Sequence, residues 1–134
     1  MEIRSIDGDV IADIKGDPSE LDLSCMDLRK ANLRAAALNG VSLRGAVLRS
    51  AVLERAHMDG CDLRFADLAD ASMEGVMLSD ADLTGAKLKR ADMYWAYCYG
   101  ARMEGAGGCR FVRGYFEGSQ FSGCEPERRE VWSR

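Results

Sequence analysis

The chain has 134 residues, 30% of them charged, with a net charge of −4 and a pI near 5.0. That length fits one domain, and the acidic balance makes a weak electrostatic footprint for a nucleic-acid backbone. No apolar run approaches the ~20 residues of a membrane span, and the opening Met1-Glu2-Ile3-Arg4-Ser5 lacks the form of a signal peptide, so a cytoplasmic location is the expectation.

The first predicted element covers residues 1–20. From Ile3 to Ile14 apolar residues alternate around Asp7-Gly8, a hairpin signal, and Pro18 ends the connection into the repeats. The stretch from Leu21 to Gly105 then reads as seventeen consecutive blocks of five. In sixteen blocks the central position is Leu or Met, as at Leu23, Leu28, Met58 and Met103; Cys98 is the exception. Two positions upstream the residue is usually Ala, as at Ala31, Ala46 and Ala101. At residues 106–108 the phase breaks: Ala106-Gly107-Gly108 is a block of three, read as a small bulge. In 109–123 the period resumes around Phe111, Phe116 and Phe121, with Cys109, Gly114 and Ser119 at the small position. A bulky centre beside a reduced partner conserves core volume. In the last segment, 124–134, Glu125-Pro126 opens a predicted short helix that runs to Trp132.

A period of five matches neither a helix repeat nor a long strand, so the backbone must reset its phase in every block. Within a block the two apolar residues are two apart, on one face of an extended segment, and the residue between them points outward. That residue is Asp22, Asp27, Asn32, Asp62, Asp67, Asp82 or Asp92 in many blocks. Gly-rich pairs such as Asn39-Gly40 and Thr84-Gly85 close the blocks and suit tight corners. Three extended residues and a corner, repeated, wind a coil around a packed interior, as in solenoids. The ends of such a coil expose strand edges, so 1–20 and 124–134 are expected to be caps.

The blocks Ala31-Asn32-Leu33-Arg34-Ala35, Ala66-Asp67-Leu68-Ala69-Asp70 and Ala81-Asp82-Leu83-Thr84-Gly85 resemble the pentapeptide-repeat family, whose pattern is Ala-(Asp/Asn)-Leu-x-x. The resemblance implies an all-β fold, a right-handed quadrilateral β-helix. Four blocks then make one coil, residues twenty apart stack, and about five coils fit the chain. It further implies a bacterial or phage protein that acts through protein contacts. Some family members dimerise through their C-terminal ends, which keeps a homodimer through Phe116, Phe121, Val131 and Trp132 open beside simple self-capping.

The odd count of five cysteines, without a Cys-x-x-Cys pair and with His57 as the sole histidine, reads as reduced thiols and gives no metal or cofactor site. Cys61 and Cys98 fall on inward positions, Cys109 and Cys124 do so in the shifted register, and Cys25 lies at a corner. Charge is banded along the chain. Arg29, Lys30, Arg34, Arg44, Arg49 and Arg55 face only Glu54, whereas Asp59, Asp62, Asp67, Asp70, Glu74, Asp80 and Asp82 face only Arg64.

The sharpest surface signal is Tyr94-Trp95-Ala96-Tyr97-Cys98-Tyr99, which turns Tyr94, Trp95, Tyr97 and Tyr99 outward. With twenty-residue coils, Tyr97 stands in a column with His57 and Met77, beside a column of Asp59, Ser79 and Tyr99. A contiguous aromatic stripe suggests a protein interface, unless the tail after Cys124 folds back over it. His57 and Asp59 could share a hydrogen bond, but a convex side lacks the pocket that catalysis needs, so no catalytic residue is expected. The expectation is a non-enzymatic scaffold with an unidentified protein partner. The alternative implied by the family is a DNA-mimicking protein that binds topoisomerase (gyrase) and protects it from quinolones; the local distribution of acid here is a poor match to that mimicry.

Overall fold

The computed structural model describes residues 2–13, 20–108, 111–120, 122–123 and 129–131, with 111–112 and 129–131 described through the backbone alone. Strand β1 (Glu2–Ser5) pairs antiparallel with β2 (Val10–Asp13), with Ile3 opposite Ala12. The turn between them is closed by the Ser5 N–H donating to Asp9 O at 2.8 Å, and Gly8 takes φ +93° there. On its other edge β1 pairs antiparallel with β3 (Ala31–Asn32), placing Arg4 opposite Asn32. Ile3 is buried in one cluster with Leu23 and Leu28, so the hairpin shares the core of the first coil.

Beyond Glu20 the chain is extended in single steps. Parallel bridges join Asp22 to Ser42, Ser42 to Asp62 and Asp62 to Asp82, each twenty residues apart. Twenty residues are four blocks, so a circuit has four sides. The first side starts at Leu21, the second at Met26, the third at Ala31 and the fourth at Ala36.

Each corner has one construction. The N–H of the next small residue donates back to the central carbonyl, as from Ala31 to Leu28 at 3.0 Å, and the last residue of the block turns left-handed. Glycine fills that position at Gly45 (φ +67°), but Lys30 (φ +56°), Phe65 (φ +59°) and Trp95 (φ +57°) occupy it too. A side chain in this conformation costs about 1–2 kcal/mol. The cost is met because the corner directs both flanking apolar residues inward. Every centre from Leu23 to Met103 is at most 3% exposed, and the Ala ladder from Ala46 to Ala106 is buried beside them.

The short block at 106–108 is absorbed without loss of the ladder. Lys87 still pairs with Gly107 twenty residues on, but Tyr97 pairs with Tyr115 and Arg102 with Gln120, eighteen residues on. The corner tightens at Gly108 (φ +78°), where an added Cβ would stand 3.0 Å from Lys89 Cα. In the next block Phe116 is buried, and its ring fills the space of the usual Ala methyl: a Cβ on Gly114 would collide with that ring and with Ala96 O.

The C-terminal helical cap expected over 125–132 is not what its described residues form. Arg129–Val131 is a strand, β5, paired in parallel with β4 (Phe111–Gly114), with Phe111 opposite Arg129. A helix this short is marginal alone, whereas the last coil offers an edge of unpaired N–H and C=O groups that a strand can satisfy. Pro18, Cys109, Phe121, Cys124 and Trp132 lie outside the described residues. No helix among the described residues is long and apolar enough to cross a membrane.

Candidate protein-interaction surface

On three sides an Asp or Asn at the outward position serves its own corner. Asp22, Asp27, Asn32, Asp62, Asp67, Asp82 and Asp92 each accept the N–H of the residue two positions on, at 2.9–3.3 Å. The fourth side is built differently. Its outward column is Ala37, His57, Met77, Tyr97 and Tyr115, with no Asp or Asn in it. Polar capping there moves two residues along the block and runs between coils: Asn39 Oδ1 accepts the Asp59 N–H at 3.0 Å, and Asp59 Oδ1 accepts the Ser79 N–H at 2.9 Å. The outward column is thereby released from capping and can carry apolar side chains.

Four of the candidate residues gather at one end of that column. Trp95, Tyr97 and Tyr99 are 38%, 37% and 38% exposed, and Tyr94 packs edge-on against Trp95 with ring centres 5.6 Å apart. At their centre stands Tyr115. It stacks on Tyr97 at 4.8 Å with an 11° angle between planes, lies 5.9 Å from Tyr99 and is 6.4 Å from Trp95. Reading from the sequence missed Tyr115, although Gly114-Tyr115-Phe116 placed it outward; the two residues lost at the short block bring it onto the column of Tyr97.

From the aromatic end an open groove of about 530 Å³ runs back along the corner between the third and fourth sides. It is lined by Trp95, Tyr97, Met77, His57, Glu74, Gly75 and Arg55. The corner column Ala35, Arg55, Gly75, Trp95 explains the hollow, because Gly75 leaves a gap between two large side chains. The hydrogen bond that His57 and Asp59 could share is not formed: Asp59 turns along the axis to Ser79. Phe116 belongs to the core at 6% exposure, and Val131 lies in β5. That strand continues the third side beyond β4; the alternative in which the tail after Cys124 folds back over the aromatic column falls mainly on residues outside the described ones.

The charge pattern also separates by side. Arg34 pairs with Glu54 and Arg64 with Asp62 at 2.6 Å, Arg90 with Asp70 at 2.5 Å, and Arg49 with Asp67 at 3.7 Å. Three of these pairs, Arg34 with Glu54, Arg49 with Asp67 and Arg90 with Asp70, tie one coil to the next, and Arg49 with Asp67 joins the basic band to the acidic one. The side-chain hydrogen bond from Arg64 holds the Asp62 carboxyl below its ordinary value, and the Arg90 guanidinium does the same for Asp70. Inside the coil, burial raises the Cys61 thiol to about 11 and pushes Cys98 up as well, so both stay protonated; the Cys61 thiol donates to Leu38 O at 2.8 Å. Both act as small apolar residues.

The repeat, the twenty-residue ladder and the Asx-capped corners agree with a comparison to known families. The profile of the pentapeptide repeats matches residues 27–64, 56–93 and 66–106, with eight copies. The chain belongs to the pentapeptide-repeat family. Its fold is accordingly the right-handed quadrilateral β-helix. Among solved structures, this pentapeptide-repeat chain is similar to alr5209 of Nostoc PCC 7120, a pentapeptide repeat protein, at 31% identity over 78% of this chain and 84% of that one, with a TM-score of 0.53. HetL of Nostoc sp. strain PCC 7120, involved in heterocyst differentiation regulation, is 26% identical over 77% of this chain and 54% of its own, with a TM-score of 0.49. Rfr23 of Cyanothece 51142 is 26% identical over 78% of this chain and 65% of its own, with a TM-score of 0.44. The chain thus spans less than two thirds of the length of HetL and Rfr23. Comparison with curated proteins finds no significant match.

Proposed function

We propose that this chain is a non-enzymatic scaffold, a rod of about five coils begun by the β1–β2 hairpin, that works in the cytoplasm by holding a protein partner on its fourth side. The observation that carries the reading is the stack of Tyr97 on Tyr115 flanked by Trp95 and Tyr99, a contiguous aromatic surface. Aromatic side chains supply large contact area at low entropic cost and dominate interface energetics. The fold explains their presence poorly on its own terms, since the core is complete without them. Against catalysis stands the open form of the groove, which cannot exclude water from His57.

The test compares the intact chain with Trp95→Ala/Tyr97→Ala as bait for its partner. Both substitutions remove exposed rings and leave every buried centre in place, so the circular dichroism spectrum and melting temperature should hold while association is lost. A partner retained equally by the double variant would sink the proposal. Topoisomerase binding is tested separately by gyrase supercoiling with and without a quinolone, where protection at micromolar protein is the outcome that would revive it.

A further inference from the structure

The fourth side differs from the other three in charge as well as in rings. Its described residues, 36–40, 56–60, 76–80, 96–100 and 114–118, include no Lys or Arg but do include Asp59, Asp80 and Glu117. None of these three carboxylates has an ion-pair partner among the described residues, so no cation offsets them on their own side; elsewhere Asp27, Glu54, Asp62, Asp67, Asp70 and Asp82 are paired, while Asp22, Glu74 and Asp92 are not but share their sides with Arg side chains. The second side, directly opposite, carries Arg29, Lys30, Arg49, Lys87, Lys89 and Arg90 against Asp27, Asp67 and Asp70. The rod therefore has a cationic side and an anionic one back to back.

Two of the unpaired carboxylates border the aromatic stack. Glu117 follows Tyr99 in the same column, and its carbonyl accepts the Gly100 N–H at 2.9 Å. Asp80 sits beneath Gly100, with its Oδ1 in the space that a side chain on Gly100 would enter. Aromatic faces attract cations through their quadrupole, and the attraction grows when carboxylates nearby add their field. Rings alone would suit any apolar partner; rings bordered by uncompensated carboxylates select a cationic one.

We propose that the fourth side binds an extended segment of a partner protein bearing arginine or lysine side chains, with the cations seated against Tyr97, Tyr99 and Tyr115 between Asp80 and Glu117, and the backbone following the groove past Met77. The inference rests on the fourth side being the interaction surface, and names the chemistry of its partner.

The probe is a fluorescein-labelled peptide of alternating Gly and Arg, with a Gly and Glu peptide as its counterpart, read by fluorescence anisotropy at low and high salt. The Arg peptide binds and the Glu peptide does not. Asp80→Asn/Glu117→Gln weakens binding about tenfold or more, and Tyr97→Ser/Tyr99→Ser does likewise. Asn is suited to position 80, where φ is +57°. Asp22→Asn/Glu104→Gln removes the same net charge from the first side and leaves affinity within about threefold. Equal weakening by this control would reduce the effect to the overall charge of the rod and overturn the proposal, as would failure of the Arg peptide to bind or survival of binding in the Tyr variant. Light scattering covers the remaining occupant: self-association abolished by Asp80→Asn/Glu117→Gln would assign the seat to the cationic side of a second copy, and also overturn it. If the peptide fails while a partner remains sensitive to Trp95→Ala/Tyr97→Ala, only the cationic assignment falls.

Discussion

The first and fourth sides of the rod share one interior and solve the same corner problem in two ways. On the first side Asp62 accepts the Arg64 N–H at 3.1 Å and also pairs with the Arg64 side chain, so the cap and the ion pair lie within one block. On the fourth side Asn39 and Asp59 reach along the axis to cap the next coil. The first arrangement consumes the outward position with Asp; the second frees it for His57, Met77, Tyr97 and Tyr115. A surface for recognition can therefore be written onto this fold without altering its core, provided that capping is done elsewhere in the block.

The largest test of that separation concerns the shared interior. Leu63 on the first side and Leu78 on the fourth are both fully buried. Leu63→Ala and Leu78→Ala should each cost about 2–5 kcal/mol, and by similar amounts, because the cavity left does not depend on what decorates the outside. Urea unfolding checks this; a Leu78→Ala loss far below that of Leu63→Ala would show that the aromatic side is not packed on the same core.

A smaller effect separates the two kinds of cap. Asp62→Ala and Asp59→Ala should each cost about 1 kcal/mol, since each leaves a corner N–H without its acceptor. Asp62→Asn and Asp59→Asn keep the acceptor oxygen and should cost less. Acid probes the Asp62 cap further. The folded carboxyl of Asp62 titrates below its ordinary 3.8, so its contribution is fully present above that value and is lost as pH falls through the folded one. Unfolding followed from pH 5 down to pH 2 should show a shallower loss in Asp62→Asn than in the unmodified chain; parallel curves would remove the charge of Asp62 from the account.

Much of this was legible from the five-residue period. It assigned Leu63 and Leu78 to the interior, Asp62 to the outside and Cys61 and Cys98 to the core, because a fixed phase sorts side chains by direction. The same period could not show that Asp62 caps its own corner while Asp59 caps the next coil, since that depends on stacking at twenty residues. Tyr115 was hidden by the short block, which changes its column without changing its outward phase. Reading charge along the chain gave bands, whereas the fold sorts it by side; Asp59, Asp80 and Glu117 are far apart in sequence and share one side. The tail at Arg129–Val131 misled because a Pro followed by charged residues suits a first helical turn, and an open strand edge outweighed that local preference.

The smallest predicted effect bears on the aromatic stack itself. Tyr97 and Tyr115 are parallel at 4.8 Å on successive coils, across the place where the chain drops two residues. Stacked aromatic pairs contribute about 0.5–1.5 kcal/mol beyond their buried area, and a pair this exposed belongs near the lower bound. The cycle of Tyr97→Ala, Tyr115→Ala and the double variant should return a coupling of about 0.5 kcal/mol in urea unfolding. That is too little to explain two tyrosines at a position where Ala37 serves the first coil. If the coupling instead reached several kcal/mol, the stack would be a clamp on the shortened coil, and its rings would be accounted for by stability alone. A small coupling, together with loss of partner binding in Tyr97→Ala, places the aromatic column outside the fold's own requirements and among the residues kept for recognition.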